Sequence, residues 1–266
     1  FRAALSSSAG NGESDTINLA AGTYKTSDDG LGTFIFLDNE DFSLSILGVS
    51  ADTTTVSGNN ETEAFNFNVV GSRISLEIKN LSISNSIGGN GGAISSQEDL
   101  TVRNCIFENN ISRGSGGALW AENNVVIEDS IFRNNKGDSG GAIYHPYGRL
   151  TIKDTDFISN SSIQGGGAVL AASTALISDS IFESNSSYKG GAIYGDSALL
   201  VIANSFFSKN TASIFAAAID SQYTHLIIGN SIFQGNGSLN SPVNMEGLIF
   251  DQPIVRHNGQ DRYNLQ

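Results

Sequence analysis

Three aspartates, Asp129, Asp154 and Asp179, recur at intervals of 25 residues. If the chain stacks one unit on the next, that spacing lines three carboxylates along one edge. Stacked carboxylates can serve acid–base hydrolysis or hold calcium, and a nearby cation can stabilise developing negative charge. Arg149 and Lys153 lie between them, with His145 close by. These five Asp, Arg and Lys residues are the candidates for a polysaccharide lyase or glycoside hydrolase. Yet Asn80, Asn104, Asn204 and Asn230 hold the same place in other units, and asparagine cannot exchange the proton. A short polar side chain that caps a turn explains all seven positions equally, and this structural reading is preferred. His145, His225 and His257 fall in different phases and give no ligand spacing. No catalytic residue, metal or cofactor is expected.

The elements that position these residues follow from a repeat. Gly-Gly-Ala ends at Ala93, Ala118, Ala142, Ala168 and Ala192, with Ala218 in an Ala-Ala-Ala-Ile variant. Phe-x-x-Asn runs in step through Phe107/Asn110, Phe132/Asn135, Phe157/Asn160, Phe182/Asn185, Phe207/Asn210 and Phe233/Asn236. Three landmarks in phase, at about 25 residues, decide the architecture before local propensity does. Each unit holds three short apolar runs. In Arg149-Leu-Thr-Ile-Lys-Asp154 the apolar residues alternate with polar ones, the period of a half-buried strand. Helices are excluded, because Gly-Gly would break one in every copy.

The expected fold is all-β: a right-handed, single-stranded parallel β-helix of about 25 residues per coil with a short N-terminal capping helix. Interior stacks are assigned to Leu100, Val125, Leu150, Ala175, Leu200 and Leu226, to Val102, Ile127, Ile152, Ile177, Ile202 and Ile228, and to the six phenylalanines. Asn110, Asn135, Asn160, Asn185, Asn210 and Asn236 form a corner ladder in which amides bond from coil to coil. Four of the six Asn-x-Ser/Thr sequons fall on ladder asparagines, so they are read as turn composition and not as glycosylation sites.

The Gly-Gly-Ala-Ile and Phe-x-x-Asn pair resembles the repeat of chlamydial polymorphic outer-membrane proteins and related secreted bacterial β-helix surface proteins. The opening Phe1–Leu5 and Asp15–Tyr24 are similar to the start of a second set of secreted repeat proteins. The resemblance covers about residues 76 to 240 and implies a pectate-lyase-like right-handed β-helix at a bacterial surface. It does not extend to the C-terminal membrane barrel of those surface proteins.

Composition narrows the function classes. A net charge of −13 with 14 basic residues argues against nucleic acid or an anionic membrane as partner. No stretch has the roughly 18 apolar residues of a membrane-spanning helix, so no membrane insertion by this chain is expected. Cys105 stands where other units carry Ser130, Thr155, Ser180 and Ser205, the place of a small buried filler. Phe1 reads as the start of a mature or trimmed product.

Residues 1–240 are read as one domain: a cap and irregular coils over 1–75, then regular coils over 76–240. Phe1, Ala4 and Leu5 supply the apolar side of the cap. Early strands are expected near Thr16–Leu19, Thr33–Leu37, Ser43–Leu47 and Ala64–Val70. The tail 241–266 is a cap or a connector, through Leu248, Ile249, Phe250, Ile254 and Val255. Coil lengths barely vary, which argues against a walled cleft.

If Ile143 points inward, alternation places Ala142 and Tyr144 outside. The outer row then contains Trp120, Tyr144, Leu170 and Tyr194 beside a row of alanines, a stripe for carbohydrate or for lateral packing. Further outer rows are Val126, Leu176, Val201 and Ile227, and Ile106, Ile131, Ile181, Phe206 and Ile232. The leading expectation is an extracellular, non-enzymatic structural or adhesive protein that associates with copies of itself head-to-tail or laterally, or with glycans or surface receptors. The alternatives are the lyase or hydrolase above and a carbohydrate-binding module.

Overall fold

A coil that closes every 25 residues needs a bend at each corner, and the sequence supplies one kind of residue for each. The computed structural model describes residues 1–9, 11–36, 42–67, 73–196, 199–222 and 225–237. They wind as a parallel β-solenoid with four sheets along its length. One coil shows the plan: Arg149–Lys153 lies in the first sheet, Asp156–Ile158 in the second, Ser161–Gly165 in the third and Val169–Ala171 in the fourth. The sheets hold nine, nine, six and eight described strands. The sequence reading has three strands per unit and misses the third sheet. Pairings as short as Ile111–Ser112 on Ile87–Gly88 leave no periodicity to read.

Of the early strands, Asp15–Asn18, Phe34–Phe36, Leu44–Leu47 and Phe65–Phe67 stand where expected. Residues 37 and 68–70 lie outside the described residues. Gly22–Lys25 and Thr54–Ser57 are additional strands of the second sheet. The helix α1, Arg2–Ser8, covers the first coil with Leu5 and Ser8 buried. Ala4 is exposed, so the helix turns differently from the expected face. Phe1 anchors it, its ring 4.7 Å from Phe34 and 5.8 Å from Phe65.

Register keeps the interior stacks in line. Leu100 pairs with Val125, Val125 with Leu150, and Leu150 with Ala175. Phe107, Phe132, Phe157, Phe182, Phe207 and Phe233 stack at centroid spacings from 4.5 to 5.1 Å with planes within 13°. That matches the separation of neighbouring strands, about 4.8 Å. The rings are stacked because the backbone repeat places them so.

The seven Asp/Asn positions from Asn80 to Asn230 turn the corner between the first and second sheets with φ between 44° and 59°. Asn and Asp tolerate this left-handed conformation better than other residues with a Cβ. Just inside the corner runs a buried ladder. Cys105 N–H donates to Ser130 Oγ, Thr155 N–H to Ser180 Oγ and Ser180 N–H to Ser205 Oγ. Cys105 is thus a thiol member of a hydroxyl ladder, and burial pushes its pKa up to about 12, which leaves it an inert filler.

At the next corner the asparagine ladder forms. Asn160 Oδ1 accepts from the Asn135 N–H at 3.0 Å and from Asn135 Nδ2 at 2.9 Å. Asn160 Nδ2 in turn donates to Phe132 O at 2.8 Å and to Asn185 Oδ1 at 3.0 Å. The tail 241–266, with Leu248, Ile249, Phe250, Ile254 and Val255, lies outside the described residues.

Candidate functional site

The stacked aspartates occupy the first corner, and the structure gives them corner roles. Asp129, Asp154 and Asp179 have φ of 50°, 47° and 53° and are exposed. Asp179 accepts from Asn204 Nδ2 at 3.1 Å, and Asp154 lies 3.4 Å from Lys153 Nζ. Arg149 and Lys153 sit on the outer face of the first sheet, both exposed. Among the described residues no group of three or more His, Cys, Asp or Glu could hold a metal ion.

His145 is not part of a basic cluster. It is fully buried, with Nε2 2.8 Å from Asn123 O and Nδ1 2.8 Å from Ser173 Oγ. A carbonyl can only accept, so Nε2 carries the proton and Nδ1 accepts from the serine hydroxyl. The ring ties residues of three successive coils together. Burial lowers its pKa, outweighing the bond to Asn123. Because the folded-state pKa is depressed, the unfolded chain takes up the proton first. The ring's contribution is therefore complete above the ordinary histidine range, about 6.5, and is lost as pH falls through it. Thermal unfolding should show a drop of a few degrees in Tm between about pH 7.5 and 5.5 that is absent in His145→Gln. Equal pH dependence in the two proteins would refute this assignment.

The fourth sheet carries the predicted aromatic row in register: Ser95, Trp120, Tyr144, Leu170, Tyr194 and Asp220 are successive partners. Two features differ from the expectation. The accompanying alanines, Ala93, Ala118, Ala142, Ala168 and Ala192, are fully buried. They sit at the corner into the fourth sheet, where alternation fails and both Ala142 and Ile143 turn inward. And of the row's four large residues Trp120 and Tyr144 are half-exposed, while Leu170 is 7% and Tyr194 8% exposed.

What covers those two is a lip made by the third sheet. Asn135 to Ala142 is seven residues and Asn160 to Ala168 is eight. The surplus enters as a bulge: Gly137 pairs with Ser162 but Ser139 with Gly165, so Asp138 faces both Ile163 and Gln164. Ile163 stands out, 61% exposed. On the next coil Tyr188 and Lys189 extend the wall. A groove of about 480 Å3 results, floored by Tyr144, Leu170 and Tyr194. Near-constant coil length does not exclude a cleft, because large side chains projecting from the third sheet suffice to raise a wall.

The groove's chemistry is mixed. Lys189 Nζ lies 5.6 Å from the Tyr194 ring centroid and 5.1 Å from that of Phe215, a cation held against two aromatic faces. The Tyr194 hydroxyl donates to Gln222 Oε1 at 2.9 Å. Gly165 lets that ring lie flat against the backbone, since a Cβ there would come within 2.9 Å of Tyr194 Cδ1. Burial, then the neighbouring Tyr147 and Asp196, raise the Tyr144 pKa and keep its hydroxyl protonated as a donor. Gln164 and Asp196 complete the polar lining. Of the sequence-predicted residues the groove gathers Tyr144, Leu170 and Tyr194, with Trp120 adjoining Tyr144 along the row. Tyr188, Lys189, Gln164 and Asp196 were not anticipated.

A family model agrees with this architecture. The family model described as "Right handed beta helix region" matches residues 64–246. No curated protein matches the chain. A solved structure, ORF18 of Geobacillus virus E2, aligns at 13% identity with a TM-score of 0.41, over 98% of this chain and 58% of its own length. The chain thus spans little more than half of that protein.

Proposed function

The chain belongs to the right-handed β-helix family, and on that premise we propose that it is an extracellular, non-enzymatic adhesive protein that holds a glycan in the groove beside the fourth sheet. The observation that carries this reading is the conjunction of an apolar, tyrosine-lined floor with a wall bearing an amide and an ammonium group. Sugar rings offer an apolar C–H face that packs on an aromatic ring, and hydroxyls at their rim that need donors and acceptors. The half-exposed Tyr144 supplies the first, and Lys189, Gln164 and Asp196 the second. The volume, about 480 Å3, suits a short segment of one to three sugar units on the scale of small-ligand sites. The surface location rests on the resemblance of the repeat to bacterial surface proteins. A hydrolase that works with paired carboxylates needs two near the scissile bond, and among the described residues lining the groove Asp196 is the one carboxylate.

A glycan array probed with the intact chain, followed by titration against Trp120 fluorescence, tests the proposal. Tyr144→Ala and Lys189→Ala should each weaken binding about five- to tenfold, the loss of one aromatic or charged contact worth about 1 kcal/mol. Asp154→Ala at the distant corner should leave it unchanged. Binding indifferent to both groove variants, or an array without a single ligand, would overturn the reading.

A further inference from the structure

The outer face of the second sheet carries two rows whose order reads sensibly in both directions from the strand Asp156–Ile158. The first row is Ile106, Ile131, Asp156, Ile181 and Phe206, paired strand to strand. The second, two residues along each strand, is Glu108, Arg133, Ile158, Glu183 and Ser208. Ile181 is 39% exposed, and Ile106, Ile131 and Phe206 are half-exposed. We propose that this face is a lateral contact with a second copy of the chain, related by a twofold axis that runs along the strand Asp156–Ile158.

The symmetry is selected by what it brings together. A twofold along the strand direction inverts the order of coils but keeps each row facing its own kind. Centred on this strand, Ile131 meets Ile181 of the other copy, Ile106 meets Phe206 and Ile158 meets itself. Arg133 then meets Glu183, and the axis makes this ion pair twice. Moving the axis one strand earlier sets Arg133 against Arg133, and one strand later Glu183 against Glu183. An axis along the solenoid puts the isoleucine row against the charged row. The copy of this chain is the occupant because its outer residues repeat with the same spacing, about 4.8 Å, and of the axes that lie on a strand this one alone pairs the charges. Within the chain Arg133 already binds Glu108 at 2.5 Å and Glu183 binds Lys209 at 2.6 Å, so the guanidinium would sit between two carboxylates.

One pair opposes association. Asp156 lies on the axis and meets Asp156 of the other copy. It stands between Ile131 and Ile181, and burial alone raises its pKa. The charged groups around it are Arg133 and Glu183 on the flanking strands, each already paired, and the corner residues Lys153 and Asp154, paired with each other. Two carboxylates at one site share a proton before both ionise. Association therefore strengthens as pH falls through the raised carboxylate range. The face, three residues wide and five strands long, covers only about 200–300 Å2 per copy by strand dimensions. That is well below the roughly 800 Å2 of a standard stable interface, so the contact is weak and concentration-dependent.

Net charge vanishes near pH 4.5, so association in acid alone does not discriminate. The decisive test is a charge swap at neutral pH, read by sedimentation velocity on the full chain. Arg133→Glu alone sets Glu against Glu183, and Glu183→Arg alone sets Arg133 against Arg, so each should be monomeric. Their equimolar mixture restores both ion pairs and should dimerise. Asp156→Asn should bind itself at least about tenfold more tightly than the natural chain at neutral pH, since like charges set together across an interface cost more than the roughly 1.4 kcal/mol of a tenfold change. A mixture no more associated than either variant, or an Asp156→Asn protein that stays monomeric at high concentration, would overturn the proposal. Neither result bears on the groove, which lies on the fourth sheet and is read by glycan binding.

Discussion

Asn160→Ala is expected to remove about 4 kcal/mol or more of stability, enough to lower the urea midpoint well below that of other surface-neutral variants. The magnitude follows from counting partners. The Asn160 amide donates twice and accepts twice, and its own N–H donates to Asn185 Oδ1 at 3.0 Å. Alanine keeps the N–H bond but strands the Asn135 N–H and leaves Phe132 O short of a donor. All of these groups are buried. Each buried group left unpaired costs about 1–3 kcal/mol. The same change at Asn236 should cost less than half as much. Asn236 is half-exposed and among the described residues accepts from one neighbour, Asn210, while donating to Phe207 O. Equal losses at the two positions would show that the ladder is not what stabilises the corner. The Asn160 amide of the sequon is itself buried and bonded within the ladder.

The parts of this molecule that could be read in its sequence are those that every coil must repeat. From Phe107 to Phe233 each interior phenylalanine stacks on that of the next coil, so its type repeats through six coils, while Val56 and Ile83 hold the place in the two before them. The same holds for the asparagine ladder and for the left-handed corner from Asn80 to Asn230. There Asp replaced Asn without loss because both tolerate the turn. The interior face of the first sheet was equally plain, since Leu150 and Ile152 alternate with Thr151 and Lys153.

What the sequence hid are the features that differ between coils. The groove's wall is raised between two landmarks by Ile163, Gln164, Tyr188 and Lys189, which have no counterparts of like type to mark them. Period-two alternation was misleading at Ala142, since a corner bends the chain and lets two successive side chains turn inward. The short third sheet pairs over as few as two residues, too few for any pattern. Tyr194, placed on an outer face by alternation, lies in register with Tyr144 and Leu170 but is covered by the third-sheet lip, which alternation cannot see. Function in a repeat protein collects in such departures, because the repeated text is already committed to holding the coils together.

The second large effect is expected at the glycine corner, where Gly141→Ala should cost about 3 kcal/mol or more by overpacking. Gly140 takes φ of +65°, but Gly141 is constrained by space and not by its dihedral. A Cβ on Gly141 would overlap the Gly167 carbonyl oxygen and come within 2.6 Å of the Ser161 backbone. Those atoms belong to the next coil, which is tied down by the bonds from Gly140 N–H to Gly165 O and from Gly141 N–H to Gly166 O, both 2.9 Å. Neither coil can withdraw without breaking them. The direction of the overlap also accounts for the degraded last copy. A Cβ on Gly167 would meet Gly191, and one on Gly191 would meet Ala217, each time the following coil. After Ala216-Ala217-Ala218 no further Gly-Gly-Ala follows in the sequence, and among the described residues no following coil sets a carbonyl against position 217. Ala216 takes no left-handed φ, unlike Gly140 and Gly190 in the earlier copies. A methyl group on Gly229, in a first-sheet strand, would meet nothing within 4 Å, and Gly229→Ala should be neutral or stabilising by up to about 1 kcal/mol. Ala217→Gly should lose no more than about 1 kcal/mol, the entropy of the added freedom. Urea unfolding of the three variants measures the contrast, and soluble yield extends it should Gly141→Ala fail to accumulate. Gly141→Ala within about 1 kcal/mol of the natural chain would mean that the coils can separate at this corner, and steric exclusion would no longer explain the repeated Gly-Gly.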